Sequence, residues 1–88
     1  MTETRAIREK RLRMRSMRRG IREMDMILTA FAGANLPDMD EAALDLYDAL
    51  LGENDQDLYQ WVTGQVAPPA RFAPLVTRIA GTYGPDRA

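Results

Sequence analysis

Apolar side chains recur along this sequence at intervals of three and four residues, and no stretch alternates with a period of two for long enough to predict a strand. The clearest run predicts one helix over about residues 17–32, with a single apolar stripe made of Met17, Ile21, Met24, Leu28 and Phe31. We expect the Met residues of this stripe to lie in the core. Met14 extends it backward, so one longer helix, kinked near Ser16, is also possible.

The remaining pattern predicts four further helices, at about residues 4–15, 38–51, 54–64 and 71–83. Asp38 is the expected N-cap of the third helix, because Glu41 three residues later completes a capping box. Pro74 is compatible with the last helix only within its first turn. Trp61 is expected in the core. The sequence therefore predicts an all-α fold, a compact bundle of four to five short helices in a single domain spanning 1–88, with residues 1–3 and 84–88 frayed.

The residue types that the chain lacks exclude several kinds of catalyst. It has 88 residues with no Cys and no His, so it can form no disulfide, no thiolate zinc site and no histidine-based triad. No glycine-rich phosphate loop is present. The uncharged stretches 26–37 and 58–70 are both well short of the ~20 residues that a membrane-spanning helix needs. We expect a cytoplasmic protein that is neither an enzyme nor itself a flavoprotein, since covalent flavins are usually carried on His or Cys.

Charge is divided unevenly along the chain. Residues 1–23 hold nine Lys or Arg and three acids, a charge of +6, whereas residues 24–88 hold three Arg and ten acids, a charge of −7. Eight of the nine N-terminal bases are Arg, which forms planar, bidentate hydrogen bonds to carboxylates and phosphates. This segment is either a solvated helix face or a docking surface for an acidic protein or nucleic acid.

The most distinctive cluster is Arg18-Arg19-Gly20-Ile21-Arg22-Glu23. Within a continuous helix, Arg19 and Glu23 would lie one turn apart on one face, with Gly20 beside them. A surface ion pair there would contribute only about 0.3–0.5 kcal/mol, and a glycine inside a helix costs roughly 1 kcal/mol relative to alanine. Binding explains the combination better, because Gly20 would let a partner backbone approach. Arg19, Arg22 and Glu23 would then supply donors and an acceptor around it.

At this cluster the sequence resembles the FAD assembly factors of succinate dehydrogenase, the family whose mitochondrial member is succinate dehydrogenase assembly factor 2. The family motif Arg-Gly-x-x-Glu is matched at residues 19–23 and is followed by an apolar residue and Asp, here Met24 and Asp25. Residues 50–61 are similar to a second family stretch, LL…D-x-D-L-aromatic-x-W. The resemblance covers about residues 5–79.

The resemblance implies a helical bundle that binds the flavoprotein subunit of succinate dehydrogenase, and often that of fumarate reductase. It implies that the chain promotes covalent attachment of FAD to a His of that subunit while holding no cofactor tightly itself. The partner-binding residues implied are Arg18, Arg19, Gly20, Arg22, Glu23 and Asp25. We expect a chaperone-like monomer that acts by preorganising its client and inserts into no membrane.

Two other interpretations remain open from the residues alone. The basic N-terminal helix could belong to a small nucleic-acid-binding module of the helix-turn-helix type, although the isoelectric point near 5.3 and the acidic later helices argue against it. The apolar stripe over residues 14–31 could form a short coiled-coil dimer, but it covers fewer heptads than a stable coiled coil usually needs.

Overall fold

A computed structural model describes the chain from residue 3 to residue 83 and contains only helices, turns and loops in that range. Its five α-helices are α1 (Arg5–Arg15), α2 (Arg22–Asn35), α3 (Glu41–Leu51), α4 (Asp55–Val62) and α5 (Ala73–Tyr83), with a short 3-10 turn at Leu36–Asp38. The predicted all-α fold is confirmed. Residues 1, 2 and 84–88, where the sequence predicts fraying, lie outside the described range. No helix within that range is long and apolar enough to cross a membrane.

Side-chain caps explain where three of the helices begin. Thr4 accepts a hydrogen bond from the amide of the third helical residue of α1, and Asn54 accepts one from the α4 amide two residues ahead. The N-cap of α3 is Asp40, whose carboxylate accepts from the Ala43 amide at 2.8 Å. The prediction of Asp38 as this cap is wrong, because Asp38 belongs to the 3-10 turn that joins α2 to α3.

The centre of the fold is α2, which packs against α1, α4 and α5. Its buried residues are Met24, Ile27, Leu28, Phe31 and Ala32. The ring of Phe31 meets that of Tyr47 from α3 with 5.5 Å between centroids. Trp61, predicted in the core, is only half-buried and lies at its edge, with its ring 6.1 Å from that of Phe72. Pro74 is the second residue of α5, which is the first-turn position that the sequence requires.

The first helix departs from the expected packing. Met14 and Met17, which continue the apolar stripe in sequence, are 62% and 44% exposed. The prediction that they belong to the core is wrong. Leu12 is instead the buried residue of α1. Because one apolar side chain buries little area, α1 needs further contacts to hold it against the bundle.

One of those contacts is a buried hydrogen-bond chain at the end of α1. The Ser16 hydroxyl donates to the Leu12 carbonyl at 2.7 Å and lies 2.6 Å from the Tyr47 hydroxyl, so Tyr47 is the donor to Ser16. Both side chains are fully buried. Burial raises the pKa of Tyr47 to about 12, against the smaller lowering effect of its bond to Ser16. Tyr47 therefore ties α3 to the C-terminus of α1 as a neutral hydrogen-bond donor.

Candidate functional site

A loop at residues 16–21 separates α1 from α2, and it contains the first half of the Arg-Gly-x-x-Glu motif. The predicted continuous helix over residues 17–32 is therefore wrong, and a coiled coil through residues 14–31 is excluded with it. Arg18 has a φ of 57°, a left-handed conformation that costs a non-glycine residue roughly 1–2 kcal/mol. Its amide donates to the Asp25 carboxylate at 2.8 Å, which holds the turn in that conformation.

The carboxylate of Asp55, at the first residue of α4, fixes the loop from outside. One oxygen accepts from the Gly20 amide at 2.7 Å, and the other accepts from Nε of Arg19 at 2.8 Å. Gly20 and Arg19 precede Asp55 in the chain by 35 and 36 residues. This role of Asp55 is not evident from the sequence pattern. Its one signal was that Asp55 falls in the second stretch shared with the family, just as Gly20 falls in the first.

The Arg19 side chain links three helices rather than extending into solvent. Its guanidinium donates to the carbonyls of Arg15 at 2.9 Å and Leu51 at 3.1 Å, in addition to Asp55. These are carbonyls at the ends of α1 and α3, where no intrahelical donor is available. The side chain is only 12% exposed. Most of its donors are thus used inside the protein, where they hold the loop against the α3–α4 junction.

The contact with Asp55 explains why position 20 is a glycine. A Cβ atom there would lie 3.0 Å from the Asp55 carboxylate oxygen that accepts from the same residue's amide. Any larger residue would have to push Asp55 away. The sequence suggested that a partner backbone approaches Gly20 closely. In the structure the group that approaches Gly20 is the carboxylate of Asp55. Gly20 itself remains exposed to solvent.

The other charged residues of the cluster point outward. Arg18, Arg22 and Glu23 are exposed, and their side chains make no hydrogen bond or ion pair among residues 3–83. The expected pairing of Arg19 with Glu23 on one helix face is absent there, because α2 begins only at Arg22. Asp25 is half-buried and accepts from the Arg18 amide. The loop and the first turn of α2 thus expose two cations and one carboxylate beside a backbone that Asp25 and Asp55 hold by hydrogen bonds.

Much of the remaining positive charge of the N-terminal segment is paired with acids of α3. Four Arg side chains of α1 form ion pairs with three acids along α3, through Arg5–Glu41, Arg8–Glu41, Arg8–Asp45, Arg11–Asp48 and Arg15–Asp48. The hydrogen bond from Arg11 is the largest of the effects that lower the pKa of Asp48. Nucleic-acid binding needs cations free to meet phosphates. The structure therefore does not support the nucleic-acid-binding alternative.

Comparison with known proteins agrees with the motif. Residues 10–82 match the family model described as the flavinator of succinate dehydrogenase. The chain is 44% identical over 61 residues to succinate dehydrogenase assembly factor 2 of Meyerozyma guilliermondii, covering 69% of this chain and 45% of that protein. It is 48% identical over 61 residues to the Scheffersomyces stipitis protein of the same name, covering 69% and 41%. A Cryptococcus neoformans relative is 39% identical over 77 residues, covering 81% and 44%. The chain spans less than half the length of these mitochondrial relatives.

Proposed function

The chain belongs to the flavinator of succinate dehydrogenase family, and we propose that it binds the flavoprotein subunit of succinate dehydrogenase and promotes covalent attachment of FAD to that subunit. Relatives that are 38–48% identical over 60–72 aligned residues carry the name succinate dehydrogenase assembly factor 2. The observation that carries the proposal is the loop held by Asp55, which together with the first turn of α2 exposes the unpaired side chains of Arg18, Arg22 and Glu23.

Within this proposal the six residues of the cluster have different roles. Arg18, Arg22 and Glu23 contact the client, because they are the members with exposed and unpaired side chains. Arg19, Gly20 and Asp25 shape the loop through hydrogen bonds inside the protein. A pre-formed loop loses little conformational entropy on binding, so more of the contact energy remains as affinity.

The proposed mechanism is preorganisation of the client rather than chemistry on this chain. With no His and no Cys, the chain lacks the usual side chains for flavin attachment and for proton transfer near neutral pH. The client's flavin and the groups that attach it can be loosely placed or aligned for reaction. A partner that binds only the aligned arrangement shifts the population toward that arrangement. Moving that population from 1:99 to 99:1 requires about 5.5 kcal/mol of differential affinity, which a few well-placed Arg contacts can supply.

Several finer points belong to the same proposal. The FAD is bound by the client, and this chain holds no cofactor tightly. It acts as a monomer and is not an enzyme. The flavoprotein subunit of fumarate reductase is proposed as a second client, since it would present a comparable flavin site to the same loop.

The experiment is co-expression of the chain with the flavoprotein subunit, followed by in-gel fluorescence of the denatured client, which reports covalent flavin. Glu23→Ala and Arg22→Ala should each lower this signal by roughly tenfold, as expected for loss of an interface contact worth more than 1 kcal/mol. Asp57→Ala is the matched control, because Asp57 is also an exposed charged residue without a partner in the described chain. Wild-type fluorescence with both Glu23→Ala and Arg22→Ala, at equal client levels, would remove the basis for this site.

A further inference from the structure

The outer face of α1 is apolar at its centre, which reverses the usual orientation of a surface helix. Ile7 and Met14 are 57% and 62% exposed, while the Arg side chains of α1 turn toward the acids of α3. A helix of a soluble monomer normally turns its apolar stripe inward. Here the charge match with α3 decides the orientation, and the apolar residues are left without a partner among residues 3–83.

These exposed residues form one continuous surface. Ile7, Lys10 and Met14 are spaced three and four residues apart, so they lie on the same side of α1. Together with Arg11 and Arg15 they line an open groove of about 370 Å³. Pockets of that size are large enough to receive side chains of a bound molecule. We call this surface the α1 groove.

The charges around the α1 groove indicate what would occupy it. Lys10 makes no ion pair within the described chain, and Arg13 has only a 3.8 Å contact with Glu9. The two acids of this segment, Glu3 and Glu9, are engaged by Arg11 and Arg5. The groove therefore has apolar side chains at its centre and uncompensated positive charge at its edge. Its complement is an apolar side chain flanked by carboxylates.

We propose that the α1 groove docks an acidic, amphipathic surface segment of the flavoprotein client. This inference rests on the proposed function and adds a second contact to the loop site. Met14 precedes Arg18 by only four residues, so the groove leads into the loop along the chain. Two contacts at different points fix the orientation of a partner, which one loop alone does not. A nucleic acid fits less well, since a phosphate backbone offers nothing to Ile7 and Met14.

The test is the dissociation constant for the purified flavoprotein subunit, measured by calorimetry with the double variant Ile7→Ser/Met14→Ser. Burying two such side chains predicts a loss of affinity of roughly 10- to 100-fold when they are replaced. Both residues are exposed, so the melting temperature should stay close to that of the wild type. Val66→Ser is the control, because Val66 is 46% exposed and lies between α4 and α5.

A second variant tests the charge independently of the apolar contact. Lys10→Glu should weaken binding at low salt by several-fold, and the difference from wild type should shrink as NaCl screens the charges. Failure of this inference is distinguishable from failure of the proposed function, because the wild-type chain is measured first. Wild-type binding that is unaffected by Ile7→Ser/Met14→Ser overturns the inference alone. No binding and no flavin attachment with the wild type overturn both.

A second copy of this chain is the competing occupant. Sedimentation of the free protein would then show a dimer that dissociates in Ile7→Ser/Met14→Ser, while that variant keeps wild-type affinity for the client. This pair of results would overturn the proposal. A monomeric wild type whose client affinity falls in the double variant, but not in Val66→Ser, supports it.

Discussion

Replacing Asp55 by Asn tests whether one carboxylate holds the α1–α2 loop in place. The carboxylate accepts from the Gly20 amide and from Arg19 at the same time. An amide side chain keeps one acceptor oxygen and replaces the other by a donor, so one of the two bonds is lost. A hydrogen bond to a charged group contributes about 1.5–3 kcal/mol. Asp55 and Arg19 are 21% and 12% exposed, so screening by water removes only part of that value, and we expect a loss of about 2 kcal/mol in the free energy of unfolding.

Asp57→Asn is the matched control for this measurement. Asp57 lies in the same first turn of α4, is exposed and has no partner among the described residues. Its replacement removes the same charge from the helix N-terminus, an effect worth about 0.3–1 kcal/mol. Urea unfolding followed by circular dichroism gives both free energies, and their difference isolates the contact with Gly20 and Arg19.

Hydrogen exchange of the Gly20 amide adds a local readout. Exchange should become faster in Asp55→Asn and stay unchanged in Asp57→Asn, because only the first variant disturbs the acceptor of that amide. The reasoning is refuted if the two variants agree within about 0.5 kcal/mol, the usual range for a surface substitution, and the Gly20 amide exchanges at the wild-type rate in both.

Three further predictions concern packing and pH. Gly20→Ala should lower the melting temperature, because the new Cβ atom would crowd Asp55. Gly33→Ala should raise the melting temperature, because a Cβ atom there has nothing within 4 Å and alanine is up to about 1 kcal/mol more favourable than glycine inside a helix. Since the pKa of Tyr47 is raised to about 12 in the folded state, the unfolded chain loses that proton first as pH rises. The contribution of Tyr47 to the free energy of unfolding is therefore fully present below about pH 10. It is lost between pH 10 and 12, which lowers that free energy by about 2–3 kcal/mol. Urea midpoints at pH 9 and 11.5 would show this, and Tyr47→Phe should reduce the slope. Leu12→Ala, at a fully buried site, should cost about 2–5 kcal/mol. Asp48→Asn weakens two partly exposed ion pairs, with Arg11 and Arg15, and should cost roughly 1 kcal/mol for each. Thermal melts compare the two, and only the Asp48→Asn effect should diminish in high salt.

Much of the fold was predictable because its signals are local. Apolar spacing predicted five helices, with an error of several residues at the start of α2, and caps such as Asn54 act through contacts within one turn of the helix that they begin. The cap of α3 was misplaced by two residues because Asp38 and Asp40 are both chemically suited to it. The choice between them depends on the 3-10 turn, whose geometry the pattern of side chains does not show.

The sequence predicts a break near Ser16, but the length of the loop that follows could not be predicted in this way. The apolar residues Met17 and Ile21 continue the helical spacing, and no proline interrupts it. The loop forms because Asp55, more than thirty residues away, accepts from both Gly20 and Arg19. Contacts across that separation exist only after α3 and α4 have packed, so they leave no trace in the local pattern.

The sequence by itself determined the helical class of the fold, the absence of His and Cys chemistry, and the motif that identifies the family. The tertiary structure alone decided how the motif is used and which way α1 faces. Arg19 is drawn inward by Asp55 and by the carbonyls at the ends of α1 and α3. The physical reason is that an arginine can pair equally well with an acid of its own chain or with an acid of a partner. Only the folded chain brings Asp55 within reach of Arg19.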